Sequence, residues 1–375
     1  QRRKQMNNSA TQMYAQSIDE IVNSIMLGLN MDEEDKNTLI VEGHMGSGKS
    51  SILKMLDKLL PKHKAIYFDC TTKADAGDLM MPKFKDLEGN DYVTFATNEE
   101  LGVHLQEPLI IMIDEVGKNK SIQNPLNRLF QERMIGMNKL HPDTLVFATT
   151  NIGSEGVGDE FKAHTCNRVT FVRMRKPNNI ESIEWGINNG IDPSLLGYYK
   201  DTPHLFASYE DVEDPTENPH IFHPKAVGRR SFFTNRSGHK ASNWLKQRHL
   251  ISDHTLTALL IGTIGEQTAM ELMAFVKLAD QLPSLDSIKN DPKNAKVPES
   301  ASATCMVVYR SLASMDKDWI NAWMDYMPRL NKEAQGMFVN GARNPKYSKI
   351  DVVMSNAKFT QWAIDNTFMF TADKK

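Results

Sequence analysis

Leu39-Ile40-Val41-Glu42-Gly43-His44-Met45-Gly46-Ser47-Gly48-Lys49-Ser50-Ser51 decides how the rest of the chain is read. A short apolar run ends in Gly43, a glycine-rich turn follows, and a helical pattern runs from Ile52 to Leu60. The spacing G-x-x-x-x-G-K-[ST] is that of a phosphate-binding loop between a strand and a helix. Gly43, Gly46 and Gly48 are expected to take positive φ and curl backbone N–H groups around an anion. His44, Met45, Ser47 and Ser51 belong to the same cradle. A helix N-terminus adds unpaired donors and a dipole that favours negative charge. Lys49 is placed for the β- and γ-phosphates, and the Ser50 hydroxyl for Mg²⁺.

A second stretch sharpens the reading. Leu109-Ile110-Ile111-Met112-Ile113-Asp114-Glu115 is an apolar run that ends in two carboxylates. Such a run predicts a strand buried on both faces, as in a parallel sheet. Its C-terminal end is where open α/β sheets bind ligands. Asp114 would hold Mg²⁺ directly or through water, and Glu115 would polarise an attacking water. Alone, an apolar run that ends in Asp-Glu is common and reads as a helix-capping carboxylate pair. Placed after a phosphate loop, it points to a P-loop nucleoside triphosphatase. Thr144 to Thr150 predicts a further strand that ends in Asn151. Asn151 is placed to reach a γ-phosphate or the water. As Asn151-Ile152-Gly153 it is also ordinary turn chemistry.

The bulk numbers are those of a soluble globular protein: 375 residues, 40% hydrophobic and 24% charged. A net charge of −3 gives no basic field to favour nucleic acid. Cys70, Cys166 and Cys305 lie far apart without metal-ligand spacing, so a reducing cytosol is expected. The basic start Gln1 to Gln5 lacks the apolar core of a signal peptide. The apolar stretch Leu256 to Ile264 is too short to span a bilayer, so no membrane association is expected.

Working outward, Met13, Ile18, Ile21, Val22, Ile25, Met26 and Leu29 recur at helical spacing and predict an N-terminal arm packed on the core. Ala65 to Phe68 reads as a second buried strand, and Thr71 to Glu100 as a helix start followed by a hairpin near Leu87 to Phe95. Leu126, Leu129, Phe130 and Met134 line one face of a helix that Pro125 opens and Gly136 ends. Phe161 to Arg168 leads into a last strand, Val169 to Met174; Arg168 alone reads as a surface ion-pair residue. Residues 177–222 read as a connector with one helical piece, Ile180 to Asn188. Arg229, Arg230 and Arg236 around Phe232 and Phe233 form a short basic-aromatic cluster of the kind that binds single strands. Helical patterns cover Ser252 to Leu282, with Gly262 and Gly265 read as close-approach positions and the Met residues as core. Further helices are expected over Ala301 to Leu312, Trp319 to Leu330 and Val352 to Phe370, with Pro283 to Glu299 as a loop.

These motifs resemble the AAA+ ATPases, and among them the MoxR-like group. Gly43 to Ser50 resembles Walker A, and Leu109 to Glu115 resembles Walker B with Glu115 as the hydrolytic glutamate. Asn151 resembles sensor 1. Arg168, in Cys166-Asn167-Arg168-Val169, is similar to the arginine finger, with Asn167 and Val169 in place of the usual Asp and Phe. Arg236, in Thr234-Asn235-Arg236-Ser237, resembles sensor 2, with Asn235 where proline is usual and Arg229 and Arg230 as neighbours. The resemblance covers roughly residues 36–282. It implies an α/β core with a parallel sheet, a helical lid and a helical C-terminal extension: an arm over 1–35, the core over 36–180, a connector over 181–222, the lid over 223–282 and the extension over 283–375. It also implies ATP and Mg²⁺ as ligands, a homo-oligomeric ring of six subunits, and work on a protein partner, in this group often one with a von Willebrand factor A domain. Loops near Gly77 to Phe95 face the pore in such rings, and Met80, Met81 and Phe84 lie there. The competing expectations are a nucleic-acid motor or loader, and a scaffold switched by ATP without turnover; Glu115 argues against the scaffold.

Overall fold

A computed structural model describes residues 13–152, 155, 161–279 and 282–367. Gly153 and the expected helical residues Phe368 to Phe370 lie outside them. The chain forms two compact units, residues 1–177 and 178–375.

The first unit is built on a five-stranded sheet in the order β2-β5-β8-β1-β9, parallel throughout. Its strands are β1 (Leu39–Gly43), β2 (Lys64–Asp69), β5 (Leu109–Asp114), β8 (Leu145–Asn151) and β9 (Thr170–Met174). Central β8 is buried at every position, and β5 at every position but Asp114, as their apolar runs require. β2 is an edge strand, not a buried one: Phe68 is fully buried, while Tyr67 is 49% exposed. On one face, α1 (Ile18–Met26) and α2 (Ser51–Leu59) pack Ile21, Val22, Ile25, Ile52 and Leu56 against Val41, Met112 and Phe147. Ser17 and Glu20 close a capping box at the start of α1, a feature worth about 1 kcal/mol. Gln16 pairs with the outer edge of β9, donating to Arg173 O at 2.8 Å, so the N-terminal arm is fastened to the sheet. On the other face, α3 (Gln123–Glu132) buries Leu126, Leu129 and Phe130.

Several local expectations change. Residues 70–78 form two 3₁₀ turns rather than a helix start, and the hairpin is longer than expected, with β3 (Met80–Leu87) paired antiparallel to β4 (Asn90–Thr97). Helix α3 stops at Glu132, because Arg133 adopts φ 57° and donates to Thr144 O. Met134 therefore lies in a strand, and Gly136 (φ 57°) turns a second small hairpin, β6 (Met134–Ile135) and β7 (Asn138–Lys139). A single helical turn, α4 (Ala163–Cys166), precedes β9.

The second unit is helical. Residues 177–222 contain two helices, α5 (Asn179–Asn188) and α6 (Pro193–Asp201), where one was expected. Pro193 opens α6, and Leu195, Leu196, Tyr198 and Tyr199 are core residues. Phe233 is 1% exposed and makes edge contacts with Tyr199 and Phe206, so this ring belongs to the core and offers no stacking platform for bases. After α7 (Asn235–Lys246), the expected helical stretch forms two helices, α8 (Asp253–Ile264) and α9 (Glu266–Ala279), divided at Gly265 (φ 90°). Gly262 faces open space and is not a close-approach position; Met270 is exposed, while Met273 is core. The expected loop over 283–299 holds α10 (Leu285–Asn290). Beyond it lie α11 (Ala301–Ser314), α12 (Ile320–Tyr326), α13 (Lys332–Arg343), α14 (Ile350–Met354) and α15 (Ala357–Asp365), of which α13 was not anticipated. Trp323 and Phe338 meet at 5.2 Å in their core.

Candidate nucleotide site

Parallel register brings the motif ends together. Gly43, the last residue of β1, lies directly opposite Asn151, the last residue of β8. Asp114 ends β5 on the other side of β8. The sequence motifs therefore converge at one carboxyl edge of the sheet.

The loop after β1 has the backbone an anion site needs. Gly46 and Gly48 take φ 68° and 100°, a region that side chains disfavour. Gly43 does not: it is an ordinary strand residue, and its hydrogen atom leaves room beside Lys49, Ser47 and Met174. Helix α2 starts at Ser51 with Ser50 as its N-cap. Among the described residues, the amides of Gly46, Gly48 and Ser50 and the Ser50 hydroxyl make no hydrogen bond. Unpaired donors at a helix start fit a polyphosphate, and the free hydroxyl fits a magnesium ligand.

His44, 4% exposed, pairs through Nδ1 with Glu155 Oε1 at 2.8 Å, and the Met45 amide donates to Glu155 Oε2 at 2.9 Å. Glu155 thus braces the outer turn of the loop. It sits in a glycine-rich stretch with no periodicity, and no sequence signal marked it.

Lys49 is 8% exposed, and its ammonium donates to Gly43 O at 2.8 Å, to His44 O at 2.9 Å and to Asn151 Oδ1 at 2.7 Å. Asn151 in turn donates through Nδ2 to Glu115 Oε1 at 2.7 Å. Glu115 Oε2 lies 2.8 Å from Lys118 Nζ. A buried polar chain thus links the phosphate loop to the second motif. Glu115 takes φ 56°, a strained value for this residue type. In this conformation its carboxylate accepts from Asn151.

Asp114 is held from two sides. The Tyr67 hydroxyl donates to Oδ2 at 2.7 Å, and the Thr149 hydroxyl donates to Oδ1. Burial, helped by the bond to Asp114, pushes the Tyr67 phenol far above its ordinary range, so it remains a donor. Burial and the charges of Asp69 and Asp114 push the Cys70 thiol up to about 12, which makes it inert. Tyr67 and Thr149 were missed because each reads as a plain strand residue.

The two arginines are not members of this hydrogen-bonded chain. Arg168 is exposed; Nε donates to Gln131 Oε1 at 2.7 Å and Nη1 to His164 O at 2.6 Å, so the side chain is held against α3 and α4. Arg236 lies exposed in the first turn of α7, in the second unit. Arg229 donates to Ile221 O at 2.8 Å, a structural tie, while Arg230 is exposed.

Residues 38–171 match the family described as AAA domain (dynein-related subfamily). No curated protein matches the sequence. Among solved structures, a point mutant of Thermotoga maritima RuvB is similar at 17% identity and a TM-score of 0.36, over 74% of this chain and 79% of that one. The structure titled Thermotoga maritima RuvB Holliday junction branch migration motor gives 15% identity and a TM-score of 0.35, over 75% and 79%. A putative ATPase from Cytophaga hutchinsonii gives 16% and 0.33, over 47% of this chain and 52% of its own. None of the described helices is long and apolar enough to cross a membrane. Residues 38–171, which carry the phosphate loop, are thus similar to the AAA domain family, and the unit that holds them is built on a parallel five-stranded sheet.

Proposed function

We propose that the chain hydrolyses ATP with Mg²⁺ in a homo-oligomeric ring, as a MoxR-like remodeller of a protein partner. The observation that carries the proposal is the chain Lys49–Asn151–Glu115 at the mouth of the phosphate loop. Phosphoryl transfer needs little covalent help, so positioning and charge do most of the work. Gly46, Gly48 and Ser50 offer their amides to the phosphates, and Lys49 turns from the Gly43 and His44 carbonyls toward the β- and γ-oxygens. Mg²⁺, when bound, neutralises charge developing on the phosphates. Ser50 would hold it directly, and Asp114, whose oxygens already accept from Tyr67 and Thr149, through water. Glu115 accepts the proton of the attacking water, and Asn151 fixes that carboxylate.

Arg168 fits a role toward a neighbouring subunit, because it is exposed yet held in place rather than joined to its own subunit's Lys49–Glu115 chain. Arg236 is proposed as the lid residue that senses nucleotide; of its competitors, Arg229 is already committed. The division into arm, core, connector, lid and extension remains the proposed organisation, with six subunits and a cytoplasmic setting. The β3–β4 hairpin supports contact with a protein: Pro82, Phe84, Val93 and Phe95 share one face by register, and Phe84 is 77% exposed. Nucleic acid is the weaker reading, since Phe233 is a core ring.

The shared site is tested by mixing variants. Arg168→Ala and Glu115→Gln should each bind ATP and lose most turnover; an arginine finger is worth about 10³–10⁵ in rate. A mixture regenerates interfaces that hold both groups, so partial activity should return. Full turnover by Arg168→Ala, and turnover per subunit that does not change on dilution to monomers, would remove the shared site.

A further inference from the structure

A second polar cluster lies within the helical unit. His204, in the 3₁₀ turn Pro203–Phe206, His220, in the turn before Ile221, and Glu271, on α9, place one ligand atom each within 4.8 Å of one another. The sequence separations hide the cluster from any reading of motif spacing.

Its members are held, not merely adjacent. Asn218 ties two of the backbones together, donating through Nδ2 to His204 O at 2.8 Å and accepting at Oδ1 from the His220 amide at 3.3 Å. His220 O accepts from the Phe233 amide at 2.7 Å. The His220 ring is 5% exposed, and its Nδ1 lies 2.9 Å from the Thr268 hydroxyl. With Nδ1–H donating to Thr268, the Nε2 lone pair faces Glu271 Oε1, 3.7 Å away. The other Glu271 oxygen accepts from the Tyr198 hydroxyl at 2.9 Å, and Gln267 donates to Oε1 at 3.2 Å. The His204 and His220 ring centroids are 4.8 Å apart.

The Nε2–Oε1 separation is too long for a hydrogen bond, so these atoms surround a shared point rather than satisfy each other. One proton can join only two of them. The geometry points to a zinc-class divalent cation site with His204, His220 and Glu271 as its protein ligands. Two imidazoles and a carboxylate suit a late first-row ion, and three protein ligands leave one position for water. Metal–ligand bonds of about 2.0–2.1 Å put tetrahedral ligand atoms about 3.3 Å apart, so closure needs side-chain shifts of roughly 1.5 Å or less. His204 is exposed and can make that shift. Thr268 and Tyr198 supply the outer hydrogen bonds that metal-bound imidazole and carboxylate require. A bound ion would join the 203–206 turn to α9 and stabilise the unit by linkage.

The test is titration of the full-length, nucleotide-free chain with Co²⁺, read by visible absorption. About one Co²⁺ per chain should bind with the strong bands of a tetrahedral ion, Zn²⁺ should displace it, and excess Mg²⁺, which prefers oxygen ligands, should not. His204→Ala and Glu271→Gln should each weaken binding by about 100-fold or more, and Thr268→Val by about 10–100-fold, with unchanged circular dichroism. His254→Ala, at an exposed histidine outside the cluster, should leave binding unchanged. Absence of the tetrahedral bands in the wild-type chain, or wild-type affinity retained in His204→Ala and in Glu271→Gln, would overturn the assignment.

Discussion

The Lys49 ammonium donates to the Asn151 carboxamide oxygen at 2.7 Å, joining residues 102 positions apart. The other end of the same carboxamide holds Glu115. A single side chain therefore joins the phosphate loop to the carboxylate proposed to activate water. Asn151→Ala should leave ATP affinity within a few-fold of wild type. Turnover should fall by about 10²-fold, the usual loss when one preorganised donor is removed. Single-turnover measurements separate the two effects. A large loss of affinity with normal turnover would place Asn151 in binding instead.

Tyr67 and Asp114 give a subtler expectation. Tyr67→Phe removes one hydrogen bond from the Asp114 carboxylate without emptying the space around it. Because Tyr67 is half exposed, the stability cost should sit near the low end of the ~0.5–1.5 kcal/mol range. The Mg²⁺ concentration needed for half-maximal turnover should shift severalfold, since the carboxylate loses a fixed orientation. Magnesium titrations at saturating ATP check this. An unchanged magnesium midpoint would make Tyr67 a packing residue of the edge strand.

Glu42, on β1 opposite Arg173 of β9, carries a pH signature. Burial raises its carboxyl pKa, and Arg173 only partly opposes this. The folded state therefore holds the proton more tightly than the unfolded state. That contribution is fully present below the ordinary carboxylate pKa, and it is lost as pH rises through the raised value. Glu42→Gln should raise Tm at neutral pH and leave it nearly unchanged in acid below the ordinary carboxylate range. Thermal melts across pH give the answer; an equal shift at all pH values would assign the effect to packing.

Much of the first unit was legible because its signals are local. The runs Leu39 to Gly43 and Leu109 to Asp114 read as strands flanking a phosphate-loop pattern, and the glycine spacing after Leu39 to Gly43 marked the loop before α2. What joins the motifs was not legible. Tyr67, Thr149 and Glu155 act through tertiary contacts that no spacing encodes. Gly136 looked like a helix stop, but Arg133 took the left-handed position first because its buried guanidinium reaches Thr144. In the second unit, Tyr198, Tyr199 and Phe206 sit among Pro, Asn and Asp residues, and their burial depends on partners such as Phe233 and Phe275. The polar residues between them made a packed segment read as a connector.

The central claim is that Glu115 and Lys49 belong to one magnesium-dependent ATP-hydrolysing site. The most direct measurement is steady-state phosphate release from Mg-ATP by the full-length chain, paired with calorimetric ATP binding, for wild type, Lys49→Ala and Glu115→Gln. The account predicts magnesium-dependent release by the wild type. Lys49→Ala should lose nucleotide binding, because the loop's cation is gone. Glu115→Gln should bind ATP as the wild type does, yet turn over at least about 10²-fold more slowly. Phosphate release that persists in Glu115→Gln, or ATP affinity unchanged in Lys49→Ala, would contradict it.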